Sequence, residues 1–71
     1  MIPLWTTLQV TCESDTRLPA TPRDLLPLGW QGLPSAGQLL VIAKTRKVDR
    51  VVAWLSSIPG VLSIDRRDPG E

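Results

Sequence analysis

The chain has 71 residues and a mass of 7.8 kDa, the length of one small domain. Its 8 basic and 7 acidic residues leave a net charge of +1, too little to attract DNA or an acidic partner across the whole chain. There is no His and one Cys, which excludes His-based acid–base chemistry, His metal sites, most catalytic triads, an internal disulfide and a Cys-cluster zinc site.

In chain order, the first element lies at residues 4–12. Leu4, Leu8, Val10 and Cys12 form an apolar even set that only Thr6 interrupts. Thr7, Gln9 and Thr11 form a polar odd set in which Trp5 is the exception. This period of two, in β-forming residue types, predicts a strand with one buried face. Residues 13–37 follow as a connection that holds Pro19, Pro22, Pro27, Pro34, Gly29, Gly32 and Gly37, a density that prevents a long helix. One short helix is expected within it. Thr21 is its N-cap, Pro22 its first residue and Asp24 its capping-box carboxylate, and Pro27 limits it to about one turn. The stretch from Leu28 to Gly37 reads as loop or as a poor edge strand around Trp30. Whether residues 31–33 pair with a neighbour is left open by the pattern.

Residues 38–44 are a continuous apolar run between Gly37 and a cluster of charge, which reads as a buried strand. Thr45 is the expected N-cap of the main helix. Val48, Val51, Val52 and Leu55 are spaced i, i+3, i+4, i+7 and line one face of that helix. The helix is expected to stop near Ser57, because Pro59 disfavours helical angles at Ile58 and Gly60 can turn the chain. Val61 to Arg66 reads as the last strand, with Leu62 and Ile64 alternating against Ser63 and Asp65. Residues 67–71 are a polar tail expected to fray.

Strand, helix, strand, with about 16 residues between the strands, predicts two parallel strands joined by a right-handed crossover. The first strand can slot between them, antiparallel to both. The expected fold of the single domain 1–71 is therefore α+β. It is a truncated ferredoxin-like, split βαβ sheet of three to four strands, with one main helix and a Pro-rich connection. The segment from Gln38 to Arg66, with Leu55-Ser56-Ser57-Ile58-Pro59-Gly60-Val61 leading from helix to strand, resembles the second half of an ACT-like regulatory domain. Such a domain also forms the C-terminal part of MgtC-type membrane proteins. The first half departs from that pattern, since Pro-rich sequence stands in place of a full first helix and a clear second strand. The resemblance implies small-molecule sensing or dimerisation through sheets or helices, without catalysis.

Two candidate surfaces follow. Trp5, Thr7, Gln9 and Thr11 would form a flat interaction face with an aromatic anchor; Trp54, on the helix at the border of the core, reads as a packing residue or as the other aromatic candidate for an interface. The alternative is that the Pro-rich segment folds back and covers the face. Lys44, Arg46, Lys47 and Arg50, opposed only by Asp49, give residues 44–50 a local charge of +3. With the helix N-terminus they could bind a phosphate or carboxylate, or they are simply a solvated helix start. Cys12 reads as a small core residue. Glu13, Asp15 and Asp24 offer too few oxygen ligands at a defined spacing for a metal site, and Asp15 and Asp24 read as turn and capping residues. Trp30 is expected to plug the core from its loop.

The sequence thus points to a non-enzymatic regulatory or protein-interaction module, homodimeric or docked on a larger protein. The alternative is an anion or nucleic-acid binder using the basic stretch 44–50. Neither Phe nor Tyr is present for stacking on RNA, which makes nucleic acid the weaker partner. No general acid–base pair stands at a recognisable spacing, so no enzyme is expected, and no cofactor is implied. The longest apolar run, Leu39 to Ala43, is far short of the ~20 residues that cross a bilayer, so no membrane insertion is expected. The first five residues lack the basic and apolar regions of a signal peptide. The free thiol fits a reducing compartment, hence the cytoplasm.

Overall fold

The computed structural model describes residues 4–67. Of the tail 67–71 expected to fray, Arg67 instead ends the last strand, paired with Thr7; the rest of that tail, and the first three residues of the segment read against a signal peptide, lie outside the described residues. In chain order the elements are β1 (Trp5–Cys12), β2 (Leu28–Leu33), β3 (Gln38–Lys44), α1 (Val48–Ser56) and β4 (Val61–Arg67), with 3-10 turns at Arg23–Leu25, Pro34–Ala36 and Thr45–Lys47.

Alternation in β1 turns Thr6, Leu8, Val10 and Cys12 inward, and all four are buried. β3 does the same with Leu39, Val41 and Ala43. The two strands pair antiparallel, from Trp5 opposite Lys44 to Thr11 opposite Gln38. β4 pairs antiparallel with the other side of β1. The sheet order is β2-β3-β1-β4, so the first strand lies between β3 and β4, as the strand–helix–strand pattern requires. The fold is α+β, a four-stranded antiparallel sheet with one helix, and its strand order is compatible with a small ferredoxin-like arrangement.

The open question about residues 31–33 is settled by β2, which pairs with β3 along its whole length as an edge strand. Gly37, with φ of 81°, closes the hairpin after the Pro34–Ala36 turn, a left-handed conformation that suits glycine. The other edge, β4, is irregular. Its register with β1 shifts between Thr11 and Cys12, leaving Leu62 without a partner, and such bulges twist an edge away from uncontrolled pairing.

One layer covers the inner face. Val48, Val51 and Leu55 of α1 and Ile58 after it are buried against Leu8, Val10, Leu39 and Val41, with Val52 partly buried beside them. Each such side chain contributes about 1.5–3 kcal/mol on full burial. The Pro-rich segment lies on this same side. Leu25 is 5% exposed within the core and Leu18 packs against it. Extended chain with one 3-10 turn therefore does the covering that a first helix would do. That turn starts at Arg23 and carries no side-chain cap, and Pro22 occupies its N-cap position. The expectation of Thr21 as N-cap and Pro22 as first helical residue is thus corrected by one residue. Pro22 has φ of −58° but ψ of 143°, an extended backbone that does not enter the turn.

The start of α1 is also corrected. Thr45 opens a 3-10 turn rather than capping the α-helix, which begins at Val48 without a side-chain cap. The Thr45 hydroxyl is engaged elsewhere. It lies 2.8 Å from the Thr6 hydroxyl, one of the pair donating to the other. This explains why a polar residue tolerates the inner face at Thr6, which is fully buried. At the far end, the Glu13 N–H donates to the Gly60 carbonyl at 2.9 Å, tying the start of the Pro-rich segment to the turn that ends the helix.

Candidate interaction surface

The molecule measures 16 Å in its thinnest direction. A sheet and one layer above it, about 10 Å apart, fill that depth and leave no room for a third layer. Both α1 and the core-lining leucines of the Pro-rich segment sit on the inner face. Among the described residues, nothing therefore covers the outer face of the sheet. Of the two readings of the Pro-rich segment, the structure takes the one in which it leaves this face open.

The strand register arranges the outer face in rows. Trp5 lies beside Lys44. Next come Gly29, Ile42, Thr7 and Arg67, then Gln31, Leu40, Gln9 and Asp65, then Leu33, Gln38, Thr11 and Ser63. Thr7, Gln9, Thr11, Leu40 and Ile42 are half-buried, whereas Leu33 at the edge is 67% exposed. Trp5 is 40% exposed and is held in place by the Lys44 ammonium, 4.6 Å from the ring centroid, a cation–π contact. A shallow depression of about 390 Å³ lies among Gln9, Gln31, Gln38, Leu40 and Arg67. The surface is a mixture of aliphatic, amide and charged groups without a nucleophile–base pair.

Of the five expected interaction residues, Trp5, Thr7, Gln9 and Thr11 come together here. Trp54 does not. It belongs to α1 on the opposite layer, where its ring meets Trp30 edge-on at 6.0 Å and 64°. Trp54 thus packs at the border of the core, as its position on the helix suggests. Trp30 is placed by β2 rather than by a loop, and it faces inward opposite Val41, so the two rings complete the flank of the core.

Sequence reasoning missed the contribution of β3 and the edge strands. Leu40 and Ile42 were hidden in a run that is apolar at every position. The signal was present all the same. A strand that is apolar on both faces, in a sheet covered on one side, exposes a hydrophobic stripe.

The basic stretch is dispersed. Lys44 points along the outer face to Trp5, while Lys47 donates from its ammonium to the Leu26 carbonyl at 2.8 Å. Arg46 and Arg50 are exposed at the start of α1. Of the four expected anion-binding residues, Lys44 and Lys47 are thus engaged with other groups of the chain. Cys12 is a buried free thiol, as read from the sequence. Glu13 and Asp15 border a separate hollow with Thr16, Arg17 and Gly60, and among the described residues no group of three potential ligands is placed to hold a metal ion. No helix among the described residues is long and apolar enough to cross a membrane. No family model, curated protein or solved structure matches the chain.

Proposed function

We propose that this protein is a non-enzymatic interaction module that binds a partner protein through the outer face of its sheet. The observation that carries this reading is the uncovered stripe of Leu40 and Ile42, continuous with Trp5 and flanked by amides. Apolar side chains in such a position favour association, because burying them removes about 25 cal/mol per Å² of apolar surface from water. The Thr and Gln residues around them keep the free face soluble and supply hydrogen bonds at an interface rim. The ferredoxin-like strand order and the Leu55–Val61 turn support a regulatory module resembling ACT-like domains, either homodimeric or docked on a larger protein. The absence of His from the sequence supports the non-enzymatic reading. The reduced, buried thiol is in keeping with a cytoplasmic protein.

The test is a photo-reactive amino acid placed at Thr7, with Arg50 on the exposed side of α1 as control, in cells that express the chain. An adduct formed from position 7 and not from position 50 is expected. No adduct from position 7 at an undiminished level of folded protein would overturn the reading.

A further inference from the structure

Resting on the reading of the outer face as a contact surface, we infer that its occupant is a second copy of this chain, packed sheet on sheet about a two-fold axis that lies between the sheets and runs across the strands. Two observations lead to this.

The first is area. Four strands of about seven residues present a face of roughly 19 by 24 Å, about 450 Å² in projection. Side-chain relief adds to that, so a pair of such faces buries on the order of 1,000 Å² in total, the threshold for a specific though weak interface.

The second is the charge map. An axis across the strands, between the row of Thr7 and the row of Gln9, lays each strand over its own copy and exchanges those two rows. Arg67 then meets Asp65 of the second copy, Ile42 meets Leu40, Thr7 meets Gln9 and Gly29 meets Gln31, while Trp5 and Lys44 meet Thr11 and Gln38. No like charges face each other. An axis along the strands instead sets Arg67 against Gly29 and Asp65 against Gln31, which desolvates both charges without a counter-charge. The face is self-complementary about the axis across the strands, as an isologous interface requires. The twist of packed sheets turns the strands by about 30°, which blurs the register at the corners and leaves the central rows opposed.

The experiment is light scattering on the intact chain from about 10 µM to about 1 mM, the range suited to an interface of this size, with two variants. The mass is expected to rise from 7.8 kDa towards twice that value. Leu40→Lys, which buries a charge at the centre, is expected to weaken association at least tenfold with an unchanged circular dichroism spectrum. Asp65→Arg, at an exposed position, is expected to weaken it several-fold by setting a cation against Arg67 of the second copy, whereas the axis along the strands, which sets position 65 against Gln31, would leave it unchanged. A monomer throughout the range, or a dimer indifferent to both variants, overturns the proposal. If the chain stays monomeric while the probe at Thr7 captures a different protein, the contact surface stands and the second copy is rejected. If position 7 captures nothing, the contact surface itself fails.

Discussion

Leu39 and Leu40 are neighbours in β3 with the same side chain and the same backbone conformation, but they face opposite layers. Leu39 is 2% exposed and belongs to the core under α1. Leu40 is half-buried on the outer face. Truncating Leu39 to Ala leaves a cavity and should cost about 3 kcal/mol. A chain of this size holds only about 3–5 kcal/mol in total. With a urea slope of about 1 kcal/mol/M, the low end for small proteins, the unfolding midpoint should fall by about 3 M. Leu40→Ala removes the same three carbons, worth about 0.8 kcal/mol each when fully buried. Leu40 is more than half buried, so with no cavity created the cost is about 2 kcal/mol, or a shift of about 2 M. Urea titrations followed by far-ultraviolet circular dichroism at low micromolar concentration, where the chain is monomeric, read both values. Equal losses for the two variants would refute the reasoning, because they would mean that the outer face is covered within the monomer.

The remaining expectations concern polar and backbone details. Thr45→Val leaves the fully buried Thr6 hydroxyl without its partner and should cost about 1–3 kcal/mol, most of which the double variant Thr6→Val/Thr45→Val should recover in thermal or urea unfolding. Gly60 has φ of 96°, and a side chain there would run into Thr16. Gly60→Ala should therefore destabilise by at least about 1 kcal/mol, and adding Thr16→Ala should relieve the contact but not the backbone strain. A double-mutant cycle that shows no coupling would mean that Thr16 does not occupy that space.

Much of the architecture was legible because local pattern and global packing agree in it. The alternation of β1, the valine spacing of α1 and the Pro59-Gly60 stop each determine an element without help from distant residues, and together they placed β1 at the centre of the sheet. Where sequence reading fell short, distant partners decide. β2 contains two glycines and no β-branched residue, so propensity argues against a strand. It forms because β3 has a second edge to satisfy, and that long-range pairing outweighs local preference. Thr45 looks like a cap when only the helix is considered, and Thr6, which takes its hydroxyl, is 39 residues away. Lys44 and Lys47 look like one basic patch along the chain, but a strand end and a turn send them to Trp5 and to Leu26. The face of β1 was recognised as a surface, while its extension over Leu40 and Ile42 needed the register with β3.

The most direct measurement of the open face is nuclear relaxation of methyl groups by a soluble paramagnetic chelate, applied to the dilute protein. Methyls of Leu40 and Ile42 are expected to relax strongly while those of Leu39 and Val41 stay protected, with the protection of Leu40 and Ile42 rising at high protein concentration. Equal protection of all four residues at low concentration would contradict an uncovered sheet face and, with it, the contact surface built on it.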